Sequence, residues 1–353
     1  MSGTHIFITG AGGYVGRNLI RYFTAAGARV TGLARSEASA ATIAQLGATP
    51  VRGDMLTTDL APLMAGASVL IHAAADLDHG PGNRALRSND EGTRRVFAAA
   101  ARAGITTAVH ISSDSVLQDG RPLRNVAETH PLPRRPAGAY SAGKVEAERA
   151  ALAAASPALT VIVLRPRMIW GRDDTTALPT LIEMVRSGRF AWISGGDYLS
   201  STTHIANFCH AVGLALQRGR SGEVYHITDG SPRTFRETVS ALLTSQKLEV
   251  PTKSVPRSLL RVIASAGELT HRGSRGRLKG PVSRQELATS AVEVTLDMSK
   301  AQQELHYKPI ISWQEGLAEL ALVPVKQSAS PMRIRRPSHM VAAGADLFSP
   351  CLA

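Results

Sequence analysis

Short apolar runs alternate with stretches of helical periodicity through the first half of the chain. The runs are His5–Thr9, Arg29–Leu33, Ser68–His72, Thr107–Ser112 and Thr160–Arg165, each of strand length. Between them lie segments such as Arg17–Ala26 and Glu91–Ala103, alanine-containing and spaced as helices. Strands alternating with helices predict a parallel sheet covered on both faces, an α/β fold. After about residue 166 the alternation stops. Glycine- and serine-rich turns follow at Ser194–Ser201 and Asp229–Pro232, with a helix-like stretch at Thr234–Leu243. This half reads as a smaller, mixed C-terminal lobe interleaved with the end of the sheet. The division expected is residues 1–165 for the sheet domain, 166–324 for the lobe and 325–353 for a basic tail. The tail mixes Pro, Ser, Gly, Ala and Arg without a period and is expected to be disordered.

Composition narrows the class. With 353 residues, 44% of them hydrophobic, the chain suits one large domain with a lobe. No apolar run approaches the roughly 20 residues of a membrane span, and no internal repeat stands out. The start carries no charged and apolar leader pattern, so no signal peptide is expected. Cys209 and Cys351 are too few and too far apart for a disulfide framework or a zinc site, which fits a cytoplasmic setting. The net charge of +12 is uneven. Arg257, Arg261, Arg272, Arg275, Arg277, Lys279 and Arg284 fall in one stretch with Glu268 as its only acid, and Arg333, Arg335 and Arg336 cluster in the tail. Such runs form solvated faces, or they draw in an anionic ligand. Nucleic acid does not fit, because no aromatic residues interleave and no binding module is present.

The first candidate chemistry is "TGAGGYVG", residues 9–16, directly after the first strand and before a helix. In a dinucleotide-binding turn Gly10 permits the tight reversal, Gly13 clears the approach of the pyrophosphate, and Gly16 lets helix and strand pack closely. The helix N-terminus beside Tyr14 and Val15 then offers N–H groups to phosphate. The fold this implies is the Rossmann-type doubly wound sheet. At the end of the second strand, where an NAD-selective enzyme carries an acid for the ribose 2′-hydroxyl, stand Ala34, Arg35 and Ser36. Arg35 suits a 2′-phosphate, which favours NADP(H) over NAD(H); Glu37 is the one nearby acid. In "YSAGK", Tyr140 and Lys144 are four apart and share a helix face. A free phenol has a pKa of about 10. An adjacent ammonium is expected to lower it, making the tyrosine an acid–base group for a hydroxyl or carbonyl oxygen. The end of the fourth predicted strand offers Ser112, Ser113 and Ser115.

The spacing T-G-x-x-G-x-x-G resembles the extended short-chain dehydrogenase/reductase family, which holds nucleotide-sugar epimerases, dehydratases and 3β-hydroxysteroid dehydrogenases. The resemblance extends to "GDM" (53–55), "HAAA" (72–75), "SSDSV" (112–116), "LRPRMIWG" (164–171), "SSTTHIANFCHAV", "GEVYHITDGSPRTFRE" and "AQQELHYKPIISWQEGL", covering residues 4 to about 322. It implies adenine contacts from Asp54 and Met55, and a strand end of small residues, Ala73, Ala74 and Ala75, lying against the cofactor. It also implies Ser112, Pro166 and Met168 beside the nicotinamide, and Lys144 on its ribose. By the S-S-x-x-V pattern Ser113 is the catalytic serine, with Tyr140 and Lys144 completing the set. Asn89 resembles the asparagine that starts the next long helix. Leu117 stands where sugar-nucleotide epimerases have tyrosine. The wording of "GEVYHITDG" and the basic stretch are most similar to the 3β-hydroxysteroid dehydrogenase branch.

The activity implied is interconversion of a secondary alcohol and a ketone by hydride transfer. The substrate is a small molecule, either lipophilic (steroid-like or acyl) or anionic. An epimerase or dehydratase with retained NAD is the alternative, and Asp114 beside the serine keeps it open. A redox-sensing binding protein is a third, disfavoured by the intact Tyr140 and Lys144. Leu259, Leu260, Val262, Ile263 and Ala266 offer either a pocket lining or ordinary helix packing. Relatives of this kind are often dimers, but the sequence displays no interface.

Overall fold

The computed structural model describes residues 1–77, 84–273, 287–288 and 291–322. The expected disordered tail at 325–353 lies outside the described residues, as do Arg275, Arg277, Lys279 and Arg284 of the basic stretch.

Seven strands form the central sheet: β1 (His5–Thr9), β2 (Arg29–Ala34), β3 (Thr49–Arg52), β4 (Val69–His72), β5 (Thr107–Ile111), β6 (Thr160–Pro166) and β7 (Val224–Ile227). All pairings are parallel, in the order β7-β6-β5-β4-β1-β2-β3. The five predicted strands are all present, each end within one residue of its expected place. Their near-continuous apolar runs follow from burial on both faces. Side-chain alternation divides β1 between two cores. Ile6 and Ile8 pack with Leu19, Phe23 and Phe208 on one side, and Phe7 packs with Val96, Phe97 and Ala100 on the other.

The helices on the two faces are α1 (Tyr14–Ala25), α2 (Glu37–Gln45), α3 (Arg84–Arg102), α4 (Ala139–Ala153) and α6 (Ile205–Arg218). Strand order reverses between β1 and β4, so the chains leaving their carboxyl ends diverge and open a crevice. α3 begins at Arg84 rather than at the predicted Glu91. Asn89 is therefore inside this helix and does not start it. Its side chain takes a hydrogen bond from the Asp76 N–H at 2.7 Å and gives one to the Asp76 carbonyl at 3.1 Å. The polar first turns of α3 carry no apolar stripe, so periodicity does not reveal them.

The smaller lobe holds α5 (Ala177–Arg186), α7 (Phe235–Ser245) and α8 (Arg257–Gly273). It also has a four-stranded sheet of Arg233–Thr234, Leu199–Ser200, Val294–Leu296 and Leu123–Val126. The last of these strands comes from the N-terminal half of the chain. Of the apolar residues singled out on α8, Leu260 packs with Ala264, Leu287 and Ala291, with Ile263 against them. Leu259 and Val262 face outward, and none lines the cleft described below. No described helix is long and apolar enough to cross a membrane.

Candidate active site

The turn after β1 closes with the Gly13 N–H donating to the Gly10 carbonyl at 2.9 Å. Gly10 has φ +68°, and a Cβ there would stand 2.7 Å from the Ala73 backbone. Glycine is thus required both by conformation and by the close approach of the β4 exit. Gly13 precedes α1 without any side-chain cap, and no acidic residue occupies the first helical turn. The N–H groups of that turn are left for an anion, with the helix dipole favouring negative charge.

A cleft of about 870 Å³ runs from this turn to the mouth of β5. Every residue assigned to the site from the sequence lines it. Gly10, Gly13, Tyr14, Val15 and Gly16 form one end, with Arg35, Asp54 and Met55 beside them. Ala73, Ala74 and Ala75 form the β4 wall, and Ser112, Ser113, Tyr140, Lys144, Pro166 and Met168 form the far end. The sequence did not single out Leu77, Ser88, Ile169, Thr176 and Ala177, which line it as well. Thr176 and Ala177 are held there by Asp174. Its buried carboxylate accepts the Thr176, Ala177 and Leu178 N–H groups at 2.7–3.1 Å and so caps α5. Asp54 is tied locally, its carboxylate accepting the Leu56 N–H at 2.8 Å. Arg35 is exposed at the exit of β2 and has no ion pair among the described residues, whereas Glu37 is turned to Arg52 at 3.4 Å.

At the far end Tyr140 and Lys144 are each 3% exposed on α4. The Tyr140 hydroxyl lies near the Ser113 and Ser115 side chains. Ser113 Oγ accepts the Ser115 N–H at 3.1 Å and donates to Asp114 Oδ1 at 3.3 Å. Burial first, and the Asp114 charge second, push the phenol above its ordinary value, while the two serines act in the opposite sense. The lowering expected from Lys144 therefore does not prevail. Its Nζ is turned to the Ile111 carbonyl at 2.7 Å. Burial brings the Lys144 ammonium down to about 8, with Glu148 opposing.

Two buried ion pairs underlie this end, and the sequence reading missed both. Asp114 Oδ2 receives Arg167 Nη1 and Gln118 Nε2, each at 2.5 Å, and Arg167 Nε donates to Ser200 Oγ at 3.2 Å. Glu148 takes two hydrogen bonds from Arg165, at 2.9 and 2.5 Å, and one from Ser112 Oγ at 2.6 Å. The available signal was two arginines inside the apolar segment "VLRPRMIW". Charges in a buried strand require partners. Among the described residues no cluster of His, Cys, Asp or Glu could hold a metal.

A crevice at the point where strand order reverses, offering helix N–H groups at one end and a buried phenol at the other, defines a dinucleotide-binding enzyme on a Rossmann-type sheet. Comparison with known proteins agrees. The chain matches the NAD dependent epimerase/dehydratase family over residues 6–228 and belongs to that family. It is 42% identical to the 4-hydroxy-2-methyl-3-oxo-4-farnesyl-3,4-dihydroquinoline-1-oxide ketoreductase of Stigmatella aurantiaca, across 93% of this chain and 99% of that one. It is 26% identical to the decarboxylating sterol-4-alpha-carboxylate 3-dehydrogenase of Dictyostelium discoideum, across 90% and 99% of the two chains. Among solved structures, gox2253 superposes with a TM-score of 0.76 at 27% identity, covering 93% of this chain and 99% of that one. The protein is an NAD(P)-dependent oxidoreductase of the extended short-chain type, as its motifs implied.

Proposed function

We propose that the protein reduces a lipophilic ketone to a secondary alcohol, with NADPH as an exchanging cosubstrate. The observation that carries this is the buried Tyr140, which lines the same cleft as Ser113 and the glycine turn.

The residues fit the cofactor. The N–H groups at the start of α1 would hold the pyrophosphate, Asp54 the adenine end, Arg35 the 2′-phosphate and Lys144 the nicotinamide ribose. When bound, the nicotinamide supplies a hydride. The chain's own part is proton delivery and orientation. Ser113 turns its hydroxyl from Asp114 to the carbonyl oxygen and holds it beside Tyr140. Tyr140, kept protonated by burial, gives its proton to that oxygen as it becomes an alkoxide. A phenol with a raised pKa suits the reductive direction, because oxidation would require the phenolate first. Lys144 replaces the proton or holds the ribose according to its charge, which changes near pH 8.

Two observations set this reading above an epimerase or dehydratase with retained NAD. Asp114, the acid beside the serine, is engaged by Arg167, Gln118 and Ser113 and is 1% exposed, so it is not presented to a substrate. Arg35, with Glu37 drawn away to Arg52, favours NADP(H). The lipophilic substrate is supported by the apolar side chains of Leu77, Met168, Ile169 and Ala177, which line the cleft. The farnesylated substrate in the name of the Stigmatella relative points the same way.

The test is Tyr140→Phe, assayed by NADPH consumption over a panel of lipophilic ketones. Turnover should fall by about 10²–10⁴-fold, with NADPH affinity held within about twofold. Unchanged turnover would remove Tyr140 from the mechanism.

A further inference from the structure

Lys144 shares its face of α4 with a second buried charge. Glu148 lies one turn further along and is 2% exposed. Its carboxylate takes hydrogen bonds from Arg165 Nε at 2.9 Å, Arg165 Nη2 at 2.5 Å and Ser112 Oγ at 2.6 Å. Arg165 lies near the end of β6, and Ser112 directly follows β5 and lines the cleft. The Ser112 N–H in turn donates to the Leu164 carbonyl at 2.8 Å. One carboxylate therefore ties α4 to two strand ends at the floor of the cleft.

We infer that Glu148 is a positioning residue for the proposed reaction, fixing Ser112 and Arg165 beneath the cofactor cleft and setting its carboxylate one helical turn from Lys144.

The other groups around Lys144 cannot do this. His72 on β4 and His110 on β5 face it as a stacked pair 5.3 Å apart. Burial, together with Lys144 itself, pushes both imidazoles well down, so they are neutral near pH 7. Tyr140, on the same helix, is also neutral, and Arg165 is itself a cation. Glu148 is the carboxylate that opposes the effect of burial on Lys144. Two cations share it. Removing Arg165 leaves the carboxylate to Lys144 and the uncharged Ser112, and removing both charges leaves Lys144 without a counter-charge. The two changes should move Lys144 in opposite directions, which a purely structural role would not do.

The inference rests on the proposed role of Lys144, so the test reads Lys144 directly and turnover separately. In the full-length protein the Lys144 side chain is titrated by ¹³C NMR of labelled lysine, assigned with Lys144→Arg. Glu148→Gln alone would leave Arg165 without a counter-charge in the interior and endanger folding. Arg165→Met leaves the buried Glu148 carboxylate with only Ser112 and Lys144, so the comparison is Arg165→Met against Glu148→Gln/Arg165→Met, and where Arg165→Met does not fold the double variant against wild type decides, a midpoint that is not lowered overturning the inference. From a wild-type midpoint near 8, Arg165→Met should raise the midpoint and the double variant should lower it. The two should differ by at least about one pH unit. NADPH affinity, followed by fluorescence, should fall along each variant's own midpoint. Midpoints that coincide, or that move the same way, overturn the inference even if ketone reduction is intact. Separated midpoints without ketone reduction in any form of the enzyme would leave the Glu148–Lys144 coupling standing and overturn the reductase reading instead.

Discussion

Alanine at each glycine of the β1–α1 turn separates packing from cofactor contact. At Gly16 the added Cβ would lie 2.2 Å from the Gly10 carbonyl oxygen, 2.6 Å from Ala11 Cα and 2.8 Å from the Ala11 carbonyl carbon. Favourable contacts begin at about 3.5 Å, so the turn would have to shift by roughly 1 Å. All three atoms are backbone, and no rotamer change relieves them. Overpacking of this kind costs about 1–3 kcal/mol, and the shift re-aims the N–H groups that face the cleft. At Gly12 the clash is shorter still, but it is with Ser39 Oγ, which rotates away. At Gly13 the Cβ would meet only the Gly10 carbonyl oxygen at 3.2 Å. The fold accepts it at a capping cost of about 1 kcal/mol or less, while the methyl group stands where the pyrophosphate must approach. Urea unfolding and NADPH fluorescence titration on the same preparations resolve the three cases. Gly16→Ala should lose both stability and binding. Gly13→Ala should keep most of its stability and lose binding about 10–100-fold, or roughly 1.4–2.7 kcal/mol. Gly12→Ala should keep both. Wild-type affinity in Gly13→Ala would refute the account of how the turn meets the cofactor.

Other consequences are sharper at single residues. Arg35→Ala should weaken NADPH by about 5–30-fold, the effect of an exposed charged hydrogen bond discounted for solvent, and leave NADH unchanged. An equal loss for both coenzymes would count against the 2′-phosphate contact. Arg167→Met leaves Asp114 buried without its counter-charge and should cost about 3–5 kcal/mol in urea unfolding. Adding Asp114→Asn should recover most of that, and a single variant as stable as the double would contradict the pairing. Lys144 also carries a pH signature. Its folded value of about 8 lies below the unfolded value of about 10.4. Between these limits the unfolded chain binds more protons, so this residue's contribution makes stability rise with pH across that window. The difference between wild type and Lys144→Met, measured by urea unfolding at about pH 7.5 and 9.5, should therefore shift in favour of wild type at the higher pH. A flat difference would mean that Lys144 is not depressed.

What the sequence disclosed and what it withheld divide along physical lines. The glycine turn, the Tyr140–Lys144 spacing and the buried strands are local patterns, set by period, by helix geometry or by a backbone conformation. All were legible. The Asp114–Arg167 and Glu148–Arg165 pairs were not, because each joins residues on separate elements that only the folded sheet brings together. The smaller sheet escaped notice for another reason. Leu199–Ser200 and Arg233–Thr234 are strands too short to alternate, and Leu123–Val126 joins them from far upstream. The direction of the Tyr140 shift was misjudged because spacing places Lys144 on the right face but cannot reveal that its Nζ turns to Ile111. Asn89 was placed at a helix start by its resemblance to the family's asparagine, whereas the helix begins at Arg84.

The central claim is that the cofactor leaves oxidised after delivering its hydride to a ketone carbon. The direct measurement uses NADPH deuterated at the transferring position of C4, a long-chain lipophilic ketone and mass spectrometry of the product. One deuterium on the carbinol carbon for each NADPH consumed, with free NADP⁺ accumulating, is the predicted result. A cofactor that stays bound through gel filtration, with substrate isomerised or dehydrated and no net NADPH consumed, would contradict it.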